Sequence, residues 1–156
     1  MVEINVPGYA NLAIEHLVLD YNGTLAVDGV LIPGVERALN ELAQQLQLHV
    51  VTADTFGHAR EELKNVNAKL TVLGPEGQSE AKRDYVLALG KEQTASIGNG
   101  RNDRLMLEVS ALGIALIQAE GSAAATCQAA DVICLSILDA LALLQQPKRL
   151  IATLRS

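Results

Sequence analysis

The chain has 156 residues, with 12 Lys and Arg against 18 Asp and Glu, so its formal net charge is −6 at pH 7. Hydrophobic residues make up 49% of it, which favours a globular domain over global disorder. The acidity argues against nucleic acid as a partner, because phosphate backbones are bound through an excess of Lys and Arg. The sequence shows no signal peptide and no apolar run near the roughly eighteen residues of a membrane span. We therefore expect one domain, 1–156, in the cytoplasm and away from membranes.

Apolar runs alternate with helical patterns along the whole chain. The opening stretch, 2–6 and 12–14 around Pro7-Gly8-Tyr9, predicts a β-hairpin. Further strands are predicted over 16–19, 48–51, 69–73, 94–97, 113–117 and 132–135. Helices are predicted over 34–46, 56–65, 78–89, 102–110, 122–129 and 136–145, with a solvated basic tail after Pro147. Strands alternating with helices predict an α/β fold, with a mostly parallel central sheet and helices on both faces.

Polar residues follow three of the predicted strands, where an open parallel sheet binds its ligands. DYNGTL follows the strand 16–19, Thr52 ends the next strand, and GNGRND follows the strand 94–97, while Lys82 lies in the helix 78–89. A carboxylate can attack phosphorus and carry a phosphoryl group as an aspartyl-phosphate. Positive charge and turn amides stabilise the incoming anion, and oxygen ligands suit Mg²⁺. This set of residues therefore indicates phosphoryl chemistry.

The segments DYNGTL, VVTAD, Lys82 and GNGRND, in that order, resemble the four motifs of the haloacid dehalogenase (HAD) superfamily of phosphatases. The resemblance runs from about His16 to the C-terminus and implies a Rossmann-like, three-layer sandwich with a small flap after the first motif. It implies that Asp20 is the nucleophile and that Thr52, Ala53, Gly23 and Lys82 bind the phosphoryl group. Arg83 is the alternative to Lys82 as the cation of the third motif.

The same resemblance implies a Mg²⁺ site made from Asp20, the backbone carbonyl of Asn22 and the side chains of Asn99 and Asp103. Two of these residues depart from the phosphatase pattern, because Asn22 and Asn99 stand where the motifs usually carry Asp. The Asp replaced by Asn22 normally acts as general acid and base, a role typically worth 10²–10⁴-fold in rate. Asp54 is a candidate for a substitute base at the rim, or for the cap of the next helix.

We therefore expect a slow, Mg²⁺-dependent phosphohydrolase acting through Asp20. The P-type ATPase phosphorylation domain also lacks the second Asp, and the whole chain resembles soluble relatives of that domain. The alternative is a non-catalytic or regulatory module that binds phosphate or a phosphorylated ligand. A response-regulator-like phosphoacceptor is disfavoured, since the chain lacks the acidic pair before the first strand.

The spacing of the motifs predicts an open site. About thirty residues separate Asn22 from Thr52, and about thirty separate Thr52 from Lys82, and each interval already holds a predicted helix and strand. Neither interval has room for a cap domain. We therefore expect either large substrates or a homo-oligomer whose neighbouring subunit covers the site. The expected partner is a phosphorylated small molecule or a phosphoprotein.

Overall fold

The computed structural model describes residues 1–53 and 57–156. Its strands are β1 (Val2–Val6), β2 (Ala10–Ile14), β3 (His16–Leu19), β4 (Ala26–Val27), β5 (Val30–Leu31), β6 (Gln47–Thr52), β7 (Lys69–Val72), β8 (Thr94–Gly98), β9 (Leu112–Leu116) and β10 (Val132–Cys134). Its α-helices are α1 (Val35–Leu42), α2 (His58–Glu62), α3 (Gln78–Leu89), α4 (Arg104–Val109), α5 (Ala124–Ala129), α6 (Ile137–Gln145) and α7 (Pro147–Leu154). Short 3₁₀ turns precede β8 and α4.

Six strands form a central parallel sheet in the order β10-β9-β8-β3-β6-β7. Strand β3 lies in the middle of this sheet, and Leu19 at its end is opposite Val50 of β6 and Ile97 of β8. Residues that follow β3 therefore emerge at the centre of the carboxyl edge, where ligands bind in such sheets. The predicted α/β, Rossmann-like architecture is confirmed.

Side chains of the central strands are buried on both faces of the sheet, as expected of a parallel sheet covered by helices. Leu17 and Leu19 pack into a core with α1, α2, α6, α7 and the hairpin β1–β2. Val18 packs on the opposite face with Val86 of α3 and Met106 of α4. The sheet and the helices on its two faces thus form three layers, with the carboxyl edge of β3 in the middle layer.

The N-terminal hairpin is confirmed, with β1 and β2 antiparallel and Val6 paired with Ala10. The segment after Pro147 differs from its prediction as a solvated tail, because it forms α7. Its Lys148 and Arg149 are exposed as expected, but Leu150 is fully buried in the core beside β1. One buried apolar residue among basic neighbours is too weak a pattern to reveal this helix.

A small flap follows the first motif, as the resemblance implies. It is a two-residue hairpin, β4–β5, whose turn residues Asp28 and Gly29 have φ values of 52° and 80°. Asp-Gly suits such a turn because both positions need positive φ. Two carboxylates anchor the flap: Glu120 Oε2 accepts from the Asp28 N–H at 3.2 Å, and Glu62 Oε2 accepts from the Leu31 N–H at 3.1 Å.

The remaining differences are in the ends of the helices. Helix α1 ends at Leu42 rather than at Leu46 and continues as turns, and the segment 102–110 is a 3₁₀ turn followed by α4. The roles predicted for Asp54, and the start of the predicted helix at Phe56, lie outside the described residues. No helix in the described part of the chain is long and apolar enough to cross a membrane.

Candidate active site

Asp20 directly follows β3, and its backbone N–H donates to the Ile97 carbonyl of β8 at 3.1 Å. Its side chain is buried and makes one contact with each oxygen. Oδ1 accepts from Lys82 Nζ at 2.7 Å, and Oδ2 accepts from the Thr24 hydroxyl at 3.1 Å. The carboxylate is thus fixed at the centre of the sheet edge by Lys82 of α3 and by Thr24 of its own loop.

Lys82 reaches this carboxylate from α3 and is fully buried. Its ammonium lies 2.7 Å from Asp20 Oδ1 and 2.7 Å from Asp103 Oδ1. Burial lowers the pKa of Lys82, but the two carboxylates outweigh it and raise the pKa above its usual value. Arg83 instead pairs with Asp84, 2.9 Å away on the partly exposed side of α3. The structure therefore brings Lys82, and not Arg83, to Asp20.

Asp103 is fully buried, and both of its carboxylate oxygens are engaged. Oδ1 accepts from Lys82, while Oδ2 accepts from the backbone N–H groups of Asn99 at 3.0 Å and Gly100 at 2.9 Å. Burial, together with the charge of Asp20, raises the pKa of Asp103 to about 6, although Lys82 opposes this shift. A Cβ at Gly98 would lie 2.5 Å from Asp103 Cγ, so only glycine allows this close approach.

Asn99 presents its amide oxygen to the loop 20–25, which carries the predicted nucleophile Asp20 and is hereafter the nucleophile loop. Its Nδ2 donates to the Gly121 carbonyl at 3.0 Å, and its Oδ1 lies 3.2 Å from the hydroxyl of Thr24. The same hydroxyl contacts Asp20 Oδ2, so the oxygens of Asp20 and Asn99 converge on one point. Thr24 is fully buried and was not among the predicted site residues; its position in DYNGTL was the only signal available.

The other predicted residues lie at the same edge of the sheet. Thr52 is buried at the end of β6, beside β3, and Ala53 is half-buried. The side chain of Asn22 is exposed. Gly23 has a φ of +78°, its N–H donates to the Ala26 carbonyl at 2.8 Å, and a Cβ there would collide with the Asn99 amide. The phosphate-binding roles of Thr52, Ala53 and Gly23 stay predictions.

The oxygen atoms that could bind a cation at this site come from both carboxylate and amide groups. Within residues 1–53 and 57–156, no group of three or more His, Cys, Asp or Glu side chains is placed to hold a metal ion. The oxygens of Asp20 and Asn99, which share the Thr24 hydroxyl as a contact, are ligands of the kind that suits Mg²⁺, which binds one or two carboxylates and keeps several waters. The Asn22 carbonyl as a ligand stays a prediction. Asp103 as a direct ligand stays a prediction, since its oxygens already bind Lys82 and two amides.

Two curated relatives are similar in sequence to part of the chain. The phosphoserine phosphatase SerB2 of Mycobacterium tuberculosis is 38% identical over 95 residues, which is 56% of this chain and 22% of that protein. The protein MJ0073 of Methanocaldococcus jannaschii is 45% identical over 60 residues, 38% of this chain and 64% of that protein. The chain thus spans about a fifth and just under two thirds of these relatives. No protein-family model matches it.

Solved structures extend the likeness to almost the entire chain. The 3-deoxy-D-manno-octulosonate (KDO) 8-phosphate phosphatase of Moraxella catarrhalis, in complex with magnesium, phosphate and KDO, superposes with a TM-score of 0.71 and 16% identity, covering 90% of this chain and 92% of that one. The cobalt-bound phosphatase YrbI of Haemophilus influenzae gives 0.67 and 17%, covering 85% and 89%.

These likenesses define the class of protein. The fold is an α/β domain with its polar cluster at the carboxyl edge of a parallel sheet. Solved structures of HAD-family hydrolases, from Streptomyces avermitilis and Streptococcus pneumoniae, share this fold with TM-scores of 0.68 and 0.63 at 15% identity, and they cover 90% and 83% of this chain. The fold that the four motifs imply is therefore confirmed.

Proposed function

We propose that the chain is a Mg²⁺-dependent phosphohydrolase acting through an aspartyl-phosphate on Asp20. The observation that carries the proposal is the Asp20 carboxylate, fixed at the sheet edge between the Lys82 ammonium and the Thr24 hydroxyl. One oxygen of Asp20 attacks phosphorus, and the bond to the leaving group breaks with its electron pair going to that group. Water then attacks the aspartyl-phosphate, which releases phosphate and restores the carboxylate.

The surrounding residues orient and neutralise these charges. Lys82 offsets the negative charge of Asp20 and of the arriving phosphoryl group, and Asp103 holds Lys82 in place through its 2.7 Å contact. Thr52 lies at the neighbouring strand end, where it is suited to bind a phosphoryl oxygen. Mg²⁺, bound by Asp20, Asn99 and the Asn22 carbonyl, would supply a Lewis acid that neutralises charge on the phosphoryl oxygens.

Two amides make this a slow enzyme. Asn22 cannot give a proton to the leaving group or take one from water, and general acid–base catalysis is typically worth 10²–10⁴-fold. Asn99 removes one negative charge from the cation site and so weakens its attraction for Mg²⁺. The same two residues support the second candidate, a module that binds a phosphorylated ligand without turning it over.

The relatives' names point to small phosphorylated molecules. Phosphoserine phosphatase and KDO 8-phosphate phosphatase are named for phosphate esters of hydroxyl groups, and we propose such a small molecule or a phosphoprotein as substrate. The flap and α1 occupy the chain between β3 and β6, and β7 is the only described strand between β6 and α3. This supports a single capless domain whose site is covered by a neighbouring subunit, which light scattering after size-exclusion chromatography would test.

Phosphorylation of Asp20 tests the enzymatic proposal directly. The protein is incubated with acetyl phosphate and Mg²⁺, and the adduct is located by intact mass and peptide mapping. We expect a phosphorylated Asp20 in the wild type, no adduct in Asp20→Asn, and an unchanged adduct in Asp84→Asn, whose carboxylate is exposed. Phosphate binding without adduct or turnover, with turnover gained in Asn22→Asp, would favour the binding module instead.

A further inference from the structure

Gln118 lies just beyond β9, and its side chain joins two other segments of the chain, the loop after β3 and the start of α6. Its Nε2 donates to the carbonyls of Gly23 at 3.0 Å and of Thr24 at 2.9 Å. Its Oε1 accepts from the N–H of Ile137, the first residue of α6, at 2.8 Å. The amide thus donates two hydrogen bonds and accepts one, all with backbone groups, as is typical of a residue that fixes a loop.

The two carbonyls that Gln118 holds belong to the nucleophile loop. Gly23 and Thr24 are both buried, so these carbonyls need a partner within the protein. Thr24 then directs its hydroxyl to Asp20 Oδ2 and Asn99 Oδ1. The orientation of this hydroxyl, and with it the spacing of the two oxygens, depends on the loop backbone that Gln118 restrains.

We infer that Gln118 is a positioning residue of the candidate site, which sets the geometry of Thr24 and thereby the affinity of the Asp20–Asn99 oxygens for a divalent cation. The inference rests on the proposed function, because it concerns the same cation site. Gln118 touches neither Asp20 nor the phosphoryl group and acts only through Gly23 and Thr24. Residues that hydrogen-bond a metal ligand, as Thr24 does, typically change metal affinity by about 10–100-fold when their contact is lost.

Two substitutions test the amide nitrogen and the amide oxygen of Gln118 separately. Gln118→Glu keeps an acceptor for the Ile137 N–H but places carboxylate oxygens against the Gly23 and Thr24 carbonyls. Gln118→Lys keeps donors for both carbonyls but leaves Ile137 without its acceptor. Gln128→Glu and Gln128→Lys, on the exposed side of α5, make the same charge changes away from the loop.

If only the charge of the new side chain mattered, the effects on cation affinity would be the reverse of those that the positioning role predicts. An added carboxylate near the site would attract a divalent ion, and an added ammonium would repel it. The positioning role instead predicts that Gln118→Glu weakens Mn²⁺ binding by about 10–100-fold, whereas Gln118→Lys and both Gln128 variants bind Mn²⁺ like the wild type. Binding is measured by electron paramagnetic resonance of free Mn²⁺, below the unfolding temperature of each variant.

Several outcomes would overturn the inference. Unchanged or tighter Mn²⁺ binding by Gln118→Glu would do so, and so would equal weakening in both Gln118 variants, which indicates a general packing role. A ¹H–¹⁵N spectrum adds a readout without metal: the Thr24 backbone amide and Asn99 side-chain amide should shift in Gln118→Glu and stay in place in Gln118→Lys. If the wild type binds no Mn²⁺, the cation site of the proposed function fails, and unshifted resonances in Gln118→Glu would refute the positioning role separately.

Discussion

Asn99 donates from its side-chain Nδ2 to the carbonyl of Gly121 at 3.0 Å, and this bond turns the amide oxygen toward the nucleophile loop. A carboxylate at the same position has no hydrogen to donate at neutral pH, so one of its oxygens would face the Gly121 carbonyl. The Asn at this position therefore matches its surroundings, and the departure from the motif is part of the local structure.

Replacing Asn99 by Asp is expected to destabilise the metal-free protein. The Gly121 carbonyl loses its donor and meets a negative charge, at a cost of about 1–3 kcal/mol in the free energy of unfolding. Added Mg²⁺ should recover more stability in Asn99→Asp than in the wild type, because the extra charge strengthens cation binding. Thermal unfolding with and without Mg²⁺ measures both effects, with the exposed Asn5→Asp as control. Wild-type stability of the metal-free variant would contradict the role of the Gly121 bond.

Removing the Lys82 ammonium is expected to be costly. In Lys82→Met, the buried carboxylates of Asp20 and Asp103 lose their shared cation, and breaking a buried pair in this way typically costs about 3–5 kcal/mol. The aspartyl-phosphate should also fail to form. Arg83→Met, next to it on the partly exposed side of α3, should change the free energy of unfolding by no more than about 0.5 kcal/mol. Urea unfolding of the two variants provides the comparison, and similar losses would refute the central role of Lys82.

The dependence of the rate on the leaving group should show that Asn22 supplies no general acid. With Asn22 in place, a leaving group must depart without receiving a proton from this residue. The rate should therefore fall steeply across a series of aryl phosphates as the pKa of the leaving phenol rises. Asn22→Asp should flatten this dependence and raise the rate for poor leaving groups by up to about 10²–10⁴-fold. Asn22 is exposed, so folding should be unaffected. An equally steep series in Asn22→Asp would contradict the assignment.

The cluster of His16, His49 and Tyr85 should make the free energy of unfolding depend on pH in mild acid. Nε2 of His49 lies 3.2 Å from Nδ1 of His16, and Nδ1 of His49 lies 3.0 Å from the Tyr85 hydroxyl. Burial, followed by the charges of His16 and Lys69, lowers the pKa of His49 to about 4. The unfolded chain, with a pKa near 6.5, binds this proton first. The contribution of neutral His49 to the free energy of unfolding should therefore be fully present above about pH 6.5 and be lost as the pH falls toward 4.

Two variants check this dependence. His49→Gln should lose the part of the pH dependence that comes from this group, whereas Tyr85→Phe removes a hydrogen bond and should keep it. Urea midpoints measured across the same pH range distinguish them. An unchanged pH profile in His49→Gln would show that another group controls stability in this range.

The sequence predicted the sheet and the position of Asp20 because each depends on local patterns. Apolar runs ending in Asp20 and Thr52, together with the order of the motifs, are sufficient to place both residues at one sheet edge. The roles of Gln118 and Gly121 were not predictable, since they arise from hydrogen bonds between segments far apart in the chain. Helix α7 was missed because Leu150 is its only fully buried residue.

The central position of β3 has a consequence for how the protein folds. His16 pairs with Gln47 on one side and with Thr94 on the other, so the second pairing must await a much later part of the chain. Contacts between such distant segments form slowly, because a long loop must close first. Asp20 acquires the cation of Lys82 and the carboxylate of Asp103 from the same late region. During synthesis, Asp20 thus emerges long before the lysine that pairs with its carboxylate.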